Sequence, residues 1–70
     1  MDKYKIPYLH LCVRKFAERF RMSDRTAFRY LRHFGGMTFL LECYDIEHTL
    51  PINDTIDALR EICRKEGGTL

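Results

Sequence analysis

The chain has 70 residues, 46% hydrophobic and 31% charged, with four glycines, two prolines and a formal charge of +2, a composition that folds but fills only one small core. It reads as a single helical domain over residues 1–70, without room for a deep pocket and with stability expected near the low end of about 5 to 15 kcal/mol or dependent on a partner. No apolar run approaches the roughly 18 residues that span a bilayer, Asp2, Lys3 and Lys5 precede a mixed segment unlike a signal peptide, and the odd, widely spaced Cys12, Cys43 and Cys63 make no disulfide framework, so the cytoplasm is the expected compartment.

Four short helices are predicted. In the first, roughly residues 6–21, Ile6, Leu9, Val13, Phe16, Ala17 and Phe20 recur at helical spacing, and Pro7 suits a first turn. Ser23 reads as the N-cap of a second helix, with Met22 and Ala27 closing over the cap as a weak staple. That helix presents Ala27, Tyr30, Leu31 and Phe34 on one side and stops at Gly35 and Gly36. The third, residues 37–48, is apolar nearly all round and is expected to be the central helix, with a strand as the competing reading for residues 37–41. Pro51 ends it, and Asn53 or Asp54 is expected to cap a fourth helix carrying Ile52, Ile56, Leu59, Ile62 and Cys63, which Gly67 and Gly68 stop before a frayed tail at Thr69 and Leu70. The predicted fold is therefore all-α, a compact bundle of four short helices.

Charge divides along the chain. Residues 1–34 hold nine basic side chains against three acidic ones, and residues 35–70 hold three against seven. The two halves, +6 and −4, suit either a basic face for a polyanion or mutual attraction, within one molecule or head to tail between molecules. Arg25, Arg29 and Arg32 form a stripe at i, i+4 and i+7, and Asp54, Asp57 and Glu61 form an acidic stripe of similar length on the last helix, so the two stripes are candidates to pair.

Residues 16–31 resemble a helix-turn-helix: a small Ala17 where two helices cross, an apolar residue and Ser23 at the turn, then Thr26 and Leu31 on the second helix. Transferred to this chain, the resemblance puts Asp24, Arg25 and Arg29 towards bases or phosphates, with Lys15, Arg21 and Arg32 nearby. Such turns commonly carry Gly in a left-handed conformation, and Arg21 stands there instead, at a steric cost of about 1 kcal/mol or more.

Catalytic and metal patterns are sparse. His10 and Cys12 are one residue apart and point to different sides of a helix, which is not zinc-ligand spacing. The cysteines fall beside core positions, and a Cys43 and His48 pair comes without an oxyanion hole or a nucleophile turn. The glycine pairs follow helices rather than opening them, so they do not cradle phosphate. The expectation is a protein that is not an enzyme and that takes no metal, cofactor or small molecule.

From Tyr30 to Thr49, and again over residues 54–59 and 62–63, the chain resembles a small bacterial family catalogued as domain of unknown function 3791. The most specific stretch is Leu41, Glu42, Tyr44, His48 and Thr49 ahead of the acidic helix. The family has no established activity. Its members are often encoded beside proteins with a toxin-like ADP-ribosyltransferase appearance, which implies a partner-binding or antitoxin-like role. Glu42, Tyr44, His48, Asp54, Asp57 and Glu61 are the expected partner-binding residues, for another protein or for a second copy. On their own chemistry His48 and Thr49 are expected to brace the carbonyl end of the third helix, with Tyr44 one turn before it, and the functional alternative makes Glu42, Tyr44 and His48 a recognition surface. The alternative function is a DNA-binding regulator that uses Arg21, Arg25, Arg29 and Arg32.

Overall fold

Leu9, Cys12, Val13, Phe16 and Ala17 share the buried face of α1 (Lys5–Phe20), a helix that contacts α2, α3 and α5. The structure is a computed structural model that describes residues 3–70; Asp2, counted above in the charge of the first half and in the N-terminal segment, lies outside them. The described residues form five helices and no strand: α1, α2 (Asp24–His33), α3 (Gly36–Glu42), the single turn α4 (Tyr44–Glu47) and α5 (Ile52–Lys65). The all-α bundle is the observed architecture.

α1 leads into α2 through a three-residue turn whose backbone closes on itself. Arg21 lies in the left-handed region (φ 54°, ψ 50°), its amide donating to Glu18 and that of Met22 to the Ala17 carbonyl. This pairing satisfies the last carbonyls of α1 and is the usual reason for a left-handed residue at a helix end. Ser23 then accepts from the Thr26 amide at 3.1 Å, capping α2 as its hydroxyl and position predict. Gly35 (φ 82°) turns the chain into α3, and a Cβ on Gly36 would meet Leu31 Cδ2 at 2.8 Å, so the close approach of α3 to the end of α2 requires glycine there.

The segment expected to be one central helix is instead broken at Cys43 (φ −106°, ψ 17°). The Cys43 amide closes α3 on Phe39, while its carbonyl accepts from Ile46 and Glu47 and begins α4. The break changes the phase of the helix: Tyr44 meets Tyr8 ring to ring and Glu47 is buried, while Ile46 is left 67% exposed. α3 contacts α1, α2, α4 and α5, and α1 contacts α2, α3 and α5, so α1 and α3 share the centre, with Gly36 and Leu40 the buried residues of α3. α5 starts one or two residues before the predicted caps. Pro51 is in an extended conformation and its carbonyl accepts from Asp54 and Thr55, leaving Asn53 inside the first turn.

Phe16, Leu31, Leu40, Ile56 and Leu59 are the largest fully buried side chains, and Cys12 and Cys63 are buried among them. Ile6, expected in the core, is 41% exposed. The tail is tied down rather than frayed: the Leu70 amide donates to the Tyr30 hydroxyl, the Arg64 guanidinium donates to the Leu70 oxygen, and the Leu70 side chain packs on the core.

Candidate functional site

The brace expected at the end of the third segment is present. His48 Nδ1–H donates to the Tyr44 carbonyl at 2.6 Å, and Thr49 Oγ1 donates to Ile46 at 2.7 Å. Because a carbonyl only accepts, this contact fixes the His48 proton on Nδ1. The imidazole lies parallel to the Tyr44 ring at 4.4 Å, Tyr44 meets Tyr4 and Tyr8 edge to face, and the Lys5 ammonium lies 5.4 Å from the Tyr44 ring centre. Beneath these rings Tyr8 donates to Thr55 Oγ1, and Thr55 in turn to the Glu47 carbonyl. Glu47 was not singled out in the sequence, yet its carboxyl is buried and Oε1 has no hydrogen-bond partner among the described residues. Burial, with the nearby Glu47 charge as a smaller cause, pushes the Tyr8 hydroxyl up to about 12 and the Cys12 thiol up to about 11. Burial also raises Cys63. A raised thiol keeps its proton, the opposite of what a nucleophile needs.

The six residues expected to bind a partner divide into those around the corner from α3 to the start of α5 and two that have basic neighbours on or against α5. Glu42, Asp45 and Asp54 are exposed around the corner from α3 through α4 to the start of α5. Asp57 instead pairs with Arg19 of α1, and Arg19 also reaches the Asn53 side chain and carbonyl. Glu61 lies 3.9 Å from Arg64 on its own helix. The two stripes therefore do not pair with each other.

Among the described residues no carboxylate lies within ion-pair distance of Arg21, Arg25, Arg29 or Arg32. All four are exposed, and Arg29, Arg32 and His33 line a shallow hollow on α2. Asp24, by contrast, faces Arg14 at 3.9 Å.

Sequence reasoning missed a groove between α1 and α2. Ile6, Leu9 and Val13 of α1, Phe28 of α2 and Met37 of α3 line a hollow of about 540 Å³, with His10, Asp24 and Arg25 at its edges. Phe28 is 42% exposed. The signal available for it was Phe28 itself, an aromatic residue at the flank of the Ala27, Tyr30, Leu31 and Phe34 stripe, three residues before Leu31 and so at the edge of the core-facing side. Five apolar side chains around one open hollow are a surface that contact with another molecule would stabilise.

Among the described residues no group of three His, Cys, Asp or Glu is placed to hold a metal, and all three cysteines are free. No helix among them is long and apolar enough to cross a membrane. No curated protein and no solved structure matches the chain. The sequence signature of the family described as "Protein of unknown function (DUF3791)" matches residues 7–66, which takes in α1 from Pro7, the whole of α2 to α4 and α5 with its stop, and the chain belongs to that family.

Proposed function

We propose that the chain is a non-enzymatic, cytoplasmic protein-binding module whose binding surface is the groove between α1 and α2. The observation that carries this reading is the groove lined by Ile6, Leu9, Val13, Phe28 and Met37, open to solvent and bordered by Arg25, which has no ion-pair partner among the described residues. A partner that inserts apolar side chains there removes apolar area from water at roughly 25 cal/mol per Å², while acidic residues at its rim meet Arg25. The antitoxin-like role implied by the family resemblance is one form of this function, with a toxin-like neighbour as the partner. The test is calorimetric titration of the purified chain with the product of the adjacent gene, and separately dilution of the chain alone. Association at micromolar concentration that Phe28→Glu abolishes supports the reading; no association in either experiment refutes it.

A second reading is favoured by Arg21 in the turn and Arg25, Arg29 and Arg32 on α2, which have no ion-pair partner among the described residues, α2 being entered through a capped turn of the kind found in helix-turn-helix proteins. DNA binding by α2 would show as amide shifts centred on Arg25, Arg29 and Arg32 in a titration with duplex DNA, collapsing steeply as salt is raised. Shifts absent from those residues at low salt would remove it.

A further inference from the structure

Ion pairing within the molecule leaves, among its exposed charges, one acidic cluster and one basic cluster. Glu18, Asp24, Asp57 and Glu61 are each within 4 Å of a basic group. Among the described residues, the exposed acidic side chains with no such neighbour are Glu42, Asp45 and Asp54, on the corner from α3 through α4 to the start of α5, and Glu66 after α5; the corresponding basic ones include Arg25, Arg29 and Arg32 on α2, besides Arg21 in the turn and Arg60 and Lys65 on α5. Each patch also exposes apolar side chains. Beside α2 these are Ile6 and Phe28, in the groove; on the acidic corner they are Ile46, 67% exposed, and Leu50, 42% exposed and one turn further on. The two patches complement each other: one is concave and apolar, with Arg25 at an edge where Asp24 already faces Arg14, and the other is an exposed helical turn, apolar and flanked by acids.

We infer that the groove of one molecule receives the Ile46 and Leu50 corner of a second copy of the chain, in a head-to-tail contact. The inference rests on the reading of the groove as a protein-binding surface and names its occupant. Apolar side chains entering the groove exclude water from Phe28, while Asp45 and its neighbours meet the arginines of α2; complementary charges of this kind set orientation and suppress other arrangements. Because the two patches differ, the contact is heterologous, so a bound pair still presents one free groove and one free corner, and association continues with concentration unless a ring closes. With two exposed apolar side chains on each side, against the roughly 20 to 30 residues per partner of a standard interface, the contact is weak.

Sedimentation equilibrium on the full chain tests this, from about 10 μM to about 1 mM, a range suited to an interface below the standard size. The weight-average mass is expected to rise above the 8.4 kDa of one chain and to fall back as salt is raised, since the rim charges are exposed and screened. Phe28→Glu spoils the groove and leaves the corner intact; the double substitution Ile46→Ser and Leu50→Ser spoils the corner and leaves the groove intact. Each variant alone is expected to be monomeric, and an equal mixture is expected to form a complex of twice the single-chain mass and no larger. The exposed double substitution Arg25→Glu and Arg29→Glu repeats the test without touching an apolar residue, and circular dichroism checks that every variant is helical. A wild type that stays monomeric throughout, a mixture that stays monomeric, or a corner variant that still dimerises alone overturns the inference. If the wild type is monomeric yet binds the adjacent-gene product through Phe28, the occupant is wrong and the groove reading stands; if neither association occurs, both fail.

Discussion

Replacing Arg21 with glycine is expected to stabilise the protein, although Arg21 lies far from the centre of the core. Its backbone sits at φ 54°, ψ 50°, where the Cβ of an L-residue crowds the following carbonyl at a cost of roughly 1 to 2 kcal/mol. Glycine removes that cost but loses more backbone freedom on folding, roughly 0.5 to 1 kcal/mol. The net gain is therefore about 0.5 to 1 kcal/mol, and the two hydrogen bonds of the turn, from the Arg21 and Met22 amides, survive because neither involves the side chain. In a domain of this size about 1 kcal/mol moves Tm by roughly 4 to 8 °C, so thermal and urea unfolding followed by circular dichroism resolve the effect. Arg21→Ala is the control, since it removes the same charge and keeps the Cβ. If Arg21→Gly is no more stable than Arg21→Ala, the left-handed backbone is not the source of the cost and the account of the turn is wrong.

Gly36→Ala should act in the opposite direction, because its Cβ would lie 2.8 Å from Leu31 Cδ2 and 3.2 Å from the Leu31 carbonyl oxygen; overpacking of this kind costs about 1 to 3 kcal/mol, read from the urea midpoint. His48→Ala removes the bond to the Tyr44 carbonyl and the stack on its ring, and a loss of about 1 kcal/mol with partner affinity unchanged is expected if the residue is a brace; lost affinity at unchanged stability would make it part of a binding surface. Alkaline pH should destabilise the fold. The Tyr8 and Cys12 acids are raised to about 12 and about 11, so the unfolded chain releases their protons first, and stability falls from near pH 9 until about pH 12. Cys12→Ala should flatten the lower part of that loss in pH-dependent urea melts, and an unchanged slope would contradict the assignment.

Residues whose structural role is local were legible in the sequence. Ser23 caps α2 through its own hydroxyl, Gly35 and Gly67 take positive φ at helix ends, and the spacing of Leu9, Val13, Phe16 and Ala17 gives the buried face of α1. The misreadings fall where distant residues decide. Nothing near Cys43 breaks a helix, and the break follows from the packing of Tyr44 on Tyr8 and the hydrogen bond from Thr55 to the Glu47 carbonyl. Ile6 fits the stripe of α1, yet α2 diverges from it there and leaves a groove, so the same residue that reads as core becomes surface. The matching lengths of the acidic and basic stripes suggested a pair, but Asp57 faces Arg19, a residue outside either stripe. Of the expected partner-binding residues, Tyr44 and His48 come together as a stacked brace, whereas Asp57 and Glu61 are engaged elsewhere.

The claim that the groove is the binding surface is tested most directly by amide NMR on isotope-labelled protein titrated with the product of the adjacent gene. Shifts concentrated on Ile6, His10, Val13, Phe28 and Met37, which surround the hollow between α1 and α2, are the expected result. Binding whose shifts leave those residues untouched and gather on Tyr44 and His48, or on Arg29, Arg32 and His33, would contradict it.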